Sequence, residues 1–480
     1  MQSADCSVQS ETADFRLEIA DSLVNLIRER GPLTVAAFME FALYDERFGY
    51  YARAARRSGR AGDFFTSVDV GALFGRLLAQ QLAEMAECLG SASAAGRASP
   101  TNAGRASRTD AGRAFSGPTW DLVEAGAGNG QLSADVLRAL QHEHPRAYDG
   151  VRLHLVEAST AARARQADIL GDSAGLLASS SARLPASYEG VLFANELLDA
   201  LPVHQVVMRD EGLREVYVDV HAGSLLTREG PPSTPALEDY LARLAVLPGV
   251  NVALEPGWRV EINLAAVAWM REASERLRRG FIILIDYGHP ARELYSVTHA
   301  TGTLTSFSRH TMTGPDAAAG QPPWLSRPGE QDITAHVDFT SVRMAAEAEG
   351  LVTLGLLDQT YFLMGLCGAN SVNPLHPVNL SNSVNPSNPV NLVNPVNPSN
   401  PVNLVNPVNP SNPANLVNPV NPSNPANLVN PVNLANLKDR LALKTLMMPG
   451  GLGSTMKVLI LGKGVGTPAL QGCSYRMRVT

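Results

Sequence analysis

DLVEAGAGNG, residues 121–130, joins a short apolar run to an acid and then to three glycines separated by single residues. Trp120, Leu122 and Val123 predict a strand ending at Glu124, and a helical pattern, LSADVLRALQHEH, follows. Gly126, Gly128 and Gly130 therefore occupy a strand-to-helix turn with the helix beginning near Gln131. Backbone without Cβ atoms lets a bound molecule approach there, beside unpaired helix N–H groups. A dinucleotide fingerprint, G-x-G-x-x-G, would need its third glycine at position 131, which is Gln131. The observed G-x-G-x-G behind an acid is instead the pattern for S-adenosyl-L-methionine, whose methionine ammonium is cationic and which has no pyrophosphate to cradle. This reading makes Glu124, Gly126, Gly128, Asn129 and Gly130 cofactor contacts.

Working outward, VRLHLVEA, GVLFANE and GFIILIDYG are further apolar runs that end in acidic or small polar residues, with helical stretches between them. Such alternation predicts an α/β fold, a Rossmann-like parallel sheet with helices on both faces, and ligands bound at the carboxyl ends of its strands. Glu157 ends the second run, one βα unit after the glycine turn, where a carboxylate can accept two hydrogen bonds from a ribose diol. The third run ends in ANELLDALPVHQ (194–205), which sets Glu196 and Asp199 within one turn of each other beside Asn195. Two close acids are unfavourable unless a cation pairs with them, and a planar, permanently charged guanidinium suits that role.

Ahead of this region, FRLEIADSLVNLIRER (15–30) places Phe15, Ile19, Leu23, Leu26 and Ile27 on one helical face, with Gly31-Pro32 as a stop. Thr34 caps a second predicted helix, and a third spans about 70–88. Two segments are compositionally distinct. A-G-R-A recurs every eight residues between Gly90 and Gly117, which predicts a disordered linker. From about 370 to 433, NLVNPVNPSNPV or its Ala variant repeats every twelve residues, with Leu392, Leu404, Leu416 and Leu428 in register. Proline at this density favours extended, solvated chain, and one leucine per repeat is a poor core for the alternative, a stacked β-solenoid.

The net charge of −7 gives no basic surface for nucleic acid. Cys6, Cys88, Cys367 and Cys473 form no C-x-x-C pair, so neither a disulfide framework nor a zinc site is expected, and no other metal constellation is evident. No apolar run approaches the roughly 20 residues that span a bilayer. The acidic N-terminus, with Asp5, Glu11, Asp14 and Glu18, matches neither a secretion signal nor a mitochondrial presequence, so the expected compartment is cytoplasmic.

Several ordered stretches resemble the MidA-like class I methyltransferases, a family that includes a mitochondrial complex I assembly protein that methylates arginine. They are FMEFALYDERFGYY, GDFFTSVDVGALFG, LVEAGAGNGQLSADVLR, LHLVEAS, NELLDALPVHQ, LREVYVDV, LIDYGH and DITAHVDFTSV, across about 30–365. LKDRLALKTLMMPGGLGSTMKVLIL resembles the family's closing helix and last strand. The resemblance implies a class I methyltransferase sheet with an N-terminal helical region, and S-adenosyl-L-methionine as cofactor. It also implies a loop that closes over the cofactor, formed by Gly62, Asp63, Phe64, Thr66 and Ser67. Glu124 to Gly130 and Glu157 would hold the cofactor from below, with Asn195 nearby, while Glu196 and Asp199 carry over as the acids nearest the reacting centre. Asn195 stands where the family has His and cannot take up a proton.

The expected organisation is a helical region with the closing loop (1–89), a linker (90–117), the methyltransferase domain (118–369), the repeat insertion (370–433), and the domain's last helix and strand (434–480). The expected function is methyl transfer to an arginine of a partner protein, without nucleic acid or membrane insertion. A cofactor-binding assembly chaperone with weak catalysis is kept open by Asn195. An NAD-dependent oxidoreductase is disfavoured by Gln131.

Overall fold

A computed structural model describes residues 2–53, 67, 70–95, 119–308, 311–314, 321–368, 437–447 and 452–475. The chain divides into two units, residues 1–366 with 434–480, and residues 367–433. The second unit is the Asn/Pro repeat, and beyond its first two residues it lies outside the described residues, as do Gly62, Asp63, Phe64 and Thr66 of the expected closing loop. All sheets among the described residues belong to the first unit.

Seven strands make the central sheet: β1 (Trp120–Ala125), β2 (Val151–Val156), β3 (Leu177–Ser181), β4 (Tyr188–Asn195), β5 (Leu277–His289), β6 (Val352–Asp358) and β7 (Met456–Lys463). Their order is β3-β2-β1-β4-β5-β7-β6, with Val337–Asp338 adding a short parallel pairing to the end of β5. Only β7 runs against its neighbours, β5 and β6; the ladders among β1 to β5 are parallel. The order reverses at β1, and this is the switch point outside which an α/β sheet binds ligands. The register sets Ala125 of β1 beside Ala194 of β4 and Asn195 of β4 beside Ile285 of β5, so three strand ends lie side by side at one edge of the sheet.

The central strands β1, β4, β5 and β7 are near-continuously buried, as expected where a sheet is covered on both faces, whereas β2, β3 and β6 are only partly buried. Every residue of β1 is buried, and so is the run Phe281 to Asp286 of β5. Helices Ala236–Val246, Leu264–Arg276 and Phe339–Ala348 contribute Leu237, Tyr240, Met270, Ala273 and Val342 to a core shared with Leu192, Ile282 and Leu284.

The structure adds a second sheet that the sequence patterns do not announce. Leu33–Thr34, Gly212–His221, His204–Arg209 and Arg259–Ile262 pair antiparallel in that order, and Ser224–Gly230 joins Gly212–His221. The last hairpin turns through Ala222 (φ +50°) and Gly223 (φ +82°), the two positive φ values that a two-residue type I′ turn requires. Leu23, Ile27, Phe38, Val207, Val216 and Trp324 pack this sheet against the N-terminal helices in a second core.

Those helices follow the sequence with extended limits. The first runs Gln2–Arg30 and stops as expected at Gly31 (φ +82°), whose N–H donates to the Ile27 carbonyl. The Thr34 side chain accepts the Ala37 N–H at 3.1 Å, the expected cap. Ala72–Ala95 extends seven residues beyond the expected end at 88 and so into the segment read as linker. Alanine is the best helix former, and GSASAA leaves no strong stop signal.

Candidate active site

The glycine turn forms as the sequence predicts. β1 ends at Ala125, and helix Gln131–Glu143 begins directly after Gly130. Gly126, Gly128 and Gly130 all have left-handed φ, +72°, +51° and +86°. A Cβ at Gly126 would press on Leu197 Cδ1 at 3.2 Å, and at Gly130 on Leu155 Cδ1 at 3.4 Å, whereas at Gly128 it would meet nothing within 4 Å. The first and third glycines thus serve close packing, and the second faces open space that a ligand can fill.

Several bonds hold the turn in shape. The N–H groups of Gly126 and Ala127 donate to the Val156 carbonyl at 2.9 and 3.0 Å. Glu157 accepts the Gly128 N–H on Oε2 at 2.8 Å and the Ser159 N–H on Oε1 at 2.7 Å. Gln166 donates from Nε2 to the Gly128 carbonyl at 2.8 Å. Each carboxylate oxygen has two acceptor sites, so Glu157 keeps one on each oxygen for a diol while it braces the turn. The Asn129 Oδ1 accepts the Gln131 N–H at 3.1 Å, an Asx turn at the entry to the helix.

Glu124 is fully buried and accepts a hydrogen bond from the Ser133 hydroxyl. Burial pushes its carboxyl up to about 8, against the pull of Ser133 and with a smaller push from the Glu157 charge.

The loop after β4 carries the acids. Glu196 has a left-handed backbone, φ +53°, unusual for a residue with a side chain. Its surroundings leave little freedom. Its N–H donates to the Ile285 carbonyl at 2.8 Å, and its Oε1 accepts the Asn195 amide at 3.0 Å and the Ser67 N–H at 3.2 Å. Ser67, the one described residue of the expected closing loop, is completely buried against this acid.

Asp286, at the end of β5, receives the next three backbone N–H groups on one oxygen: Leu197 at 3.0 Å, Leu198 at 2.7 Å and Asp199 at 3.4 Å. Its other oxygen accepts the Tyr287 N–H at 2.8 Å. The Asn263 amide reaches the Leu198 carbonyl at 3.0 Å, the Tyr44 hydroxyl the Ala200 carbonyl at 3.0 Å, and the Ala335 N–H the Asp199 carbonyl at 2.9 Å. A strained backbone persists only where neighbours over-determine it, and here four separate segments do so.

Asp199 is buried, and its Oδ1 has no hydrogen-bond partner among the described residues. Burial, followed by the charges of Asp286, Glu196 and Asp332, holds its carboxyl well above the usual range. Asp286 is pushed up to about 7 by burial, opposed by its N–H donors. Donors favour the ionised form, so of this coupled pair Asp286 carries the charge and Asp199 the proton. Tyr51 donates to Asp332 at 2.7 Å, and Tyr287 is raised above its ordinary value, chiefly by burial and next by the Glu196 charge.

Asp286, Asn263, Tyr44, Tyr51 and Asp332 were absent from the site read along the sequence. Asp286 had a legible signal, since GFIILIDYG is a strand ending in an acid like the others. His289, His299 and His336 also come together, their ligand atoms all within 4.8 Å of one another, whereas the sequence marked no metal constellation. They come from separate segments with no common spacing.

This geometry has matches among known proteins. Residues 109–357 match the model of a family of S-adenosyl-L-methionine-dependent methyltransferases. The chain is 28% identical over 371 residues to the mitochondrial protein arginine methyltransferase NDUFAF7 of Mus musculus, covering 72% of this chain and 73% of the relative. The Drosophila melanogaster homologue is also 28% identical, over 385 residues, 73% of this chain and 75% of its own. A Burkholderia thailandensis protein considered a methyl transferase, solved bound to S-adenosyl-homocysteine, superposes with a TM-score of 0.67 at 26% identity, over 96% of this chain and 95% of its own. The relatives' mitochondrial naming overturns the expectation of a cytoplasmic compartment. Compartment is an address read by receptors, and the charge and cysteine content of a folded domain do not encode it.

Proposed function

Given that this chain belongs to the family of S-adenosyl-L-methionine-dependent methyltransferases, we propose that it methylates an arginine side chain of a partner protein. S-adenosyl-L-methionine is its cofactor and, when bound, supplies an electrophilic methyl group on a sulfonium. The residues present fit that molecule. The turn is bare where Gly128 faces open space, Glu157 has acceptor sites left for the ribose, and the buried Asn195 Oδ1 has no partner among the described residues.

The observation that carries the arginine assignment is Asp199. A buried carboxyl oxygen without a partner, among Glu196, Asp286 and Asp332, is a place where a cation would be stabilised. A guanidinium has five donors in a fixed plane and keeps its charge, which a lysine ammonium in such a site does not do as firmly. On its arrival Asp199 gives up its proton to solvent and Glu196 accepts a second edge of the fork. Positive charge is then drawn toward the paired nitrogens, and the remaining nitrogen becomes the better nucleophile. That nitrogen gains the methyl and loses a proton, which we assign to Glu196. Alignment of donor and acceptor supplies on the order of 7–11 kcal/mol of such a reaction's acceleration. The mouse and fly relatives are named protein arginine methyltransferases, which supports the same reading.

Incubating the full chain and cofactor with proteins from cells lacking this gene, followed by mass spectrometry, tests the proposal. New methyl groups on arginine are expected. Transfer only to lysine, or to no protein at all, would overturn it, and the second result would favour a cofactor-binding assembly protein.

A further inference from the structure

Three imidazoles meet at the carboxyl end of β5, outside the acidic site. His289 is the last residue of β5 and is held in register with Asp338. His299 ends the short turn Val297–His299. His336 lies between Asp332–Thr334 and Val337–Asp338, and its N–H donates to the Thr303 hydroxyl at 3.1 Å. The ring centroids are 4.8, 5.2 and 6.0 Å apart, with tilted planes. We propose that His289, His299 and His336 form a binding site for one divalent zinc-like metal ion.

The distances suit such an ion. Zinc bound at about 2.0–2.1 Å in a tetrahedral site holds its nitrogens about 3.4 Å apart. Ligand atoms already within 4.8 Å of one another close onto it through small ring rotations.

The second feature is the hydrogen bonding. Nδ1 of His336 is buried and has no partner among the described residues, and a buried polar atom in that condition calls for an explanation. Nδ1 of His289 lies 2.9 Å from Glu293 Oε1. Nδ1 of His299 lies 3.1 Å from the Glu293 carbonyl and 3.2 Å from the Thr298 hydroxyl. Donating to that carbonyl leaves Nε2 of His299 as the ligand atom. A metal-binding histidine usually has its other nitrogen fixed by a carbonyl or carboxylate, and Glu293 offers one of each. Lys457, which adds positive charge near the cluster, is paired with Asp358 at 2.6 Å.

Imidazole donors suit zinc, nickel, copper or cobalt and not magnesium or calcium. The fourth position falls to water. The role is structural, because the ion would join the end of β5 to the turn at 297–299 and to the segment whose Ala335 N–H holds the Asp199 carbonyl.

Zinc titration of the chelator-treated full chain, carrying no histidine tag, tests this by calorimetry and thermal unfolding. One equivalent should bind and raise the unfolding temperature. His299→Gln should weaken zinc at least tenfold while binding of S-adenosyl-homocysteine and the circular dichroism stay unchanged. His336→Gln repeats the test from the buried side. Absence of saturable one-to-one uptake by the wild type overturns the site, as does unaltered zinc affinity in His299→Gln.

Discussion

Asp286 accepts the Leu198 N–H at 2.7 Å, and this bond joins the end of β5 to the loop that carries both acids. Leu197 and Asp199 share the same carboxylate oxygen, so one side chain orders three successive peptide groups behind Glu196. Asp286→Ala leaves those donors without an acceptor, and a buried donor so abandoned costs about 1–3 kcal/mol. Unfolding in urea should register that loss, and methyl transfer should fall further than stability alone explains because Glu196 is no longer held at positive φ. A variant as active and as stable as wild type would refute this role.

Gly128→Ala tests the cradle. The added methyl meets no protein atom, so its folding cost is the left-handed conformation, about 1–2 kcal/mol. It occupies space assigned to the cofactor. Calorimetry with S-adenosyl-homocysteine should show at least tenfold weaker binding, and unaltered affinity would place the cofactor elsewhere.

Glu157→Ala removes the diol acceptor and the brace on the Gly128 N–H together. Affinity for the cofactor should fall by about 1.5–3 kcal/mol, the scale of hydrogen bonds to a charged group. A lower turnover at full cofactor affinity would contradict this role.

Glu196→Gln keeps the acid's size while removing its charge. Methyl transfer to arginine should drop by orders of magnitude with cofactor affinity nearly unmoved, because the charge acts on the acceptor. Equal rates for variant and wild type would sink the proposed mechanism.

Glu124 gives a pH signature. Its folded carboxyl, pushed up to about 8, retains a proton that the unfolded chain releases near the ordinary value of 4.5. The folded state binds more protons between those limits, so this contribution to stability is complete below pH 4.5 and is lost as pH rises through 8. His336 acts oppositely. Burial lowers it from 6.5 to about 4, so its contribution is present above pH 6.5 and lost on acidification. The window from pH 6.5 to 8 therefore isolates the carboxyls, Asp286 included. Melting temperature without cofactor should decline across it, and less steeply in Glu124→Gln. A wild-type melting temperature that rises over that window would refute the assignment.

Much of the architecture was legible because local chemistry determined it. Short apolar runs ending in acidic or small polar residues and stretches of helical period separated strands from helices, the absence of a glycine at Gln131 distinguished the turn from a dinucleotide loop, and Gly31 and Thr34 marked helix limits that the structure keeps. The acids at the ends of β2 and β4 could be read because a parallel sheet brings its carboxyl ends to one edge whatever lies between them in sequence. The antiparallel second sheet was missed although its Ala222-Gly223 turn is a local signal, since the ladders that make it a sheet join residues as distant as Leu33 and Val218.

The sequence by itself thus determined the fold class, the glycine turn and the closeness of Glu196 to Asp199 along the chain, each a matter of residue type and short-range spacing. Only the tertiary structure decided which acid is ionised. That depends on Asp286 taking the backbone N–H groups of 197–199 and leaving the Asp199 Oδ1 without a donor among the described residues. It likewise brought together His289, His299 and His336, which no spacing links. Hydrogen bonding and burial are properties of groups meeting through space, so neither could be read along the chain.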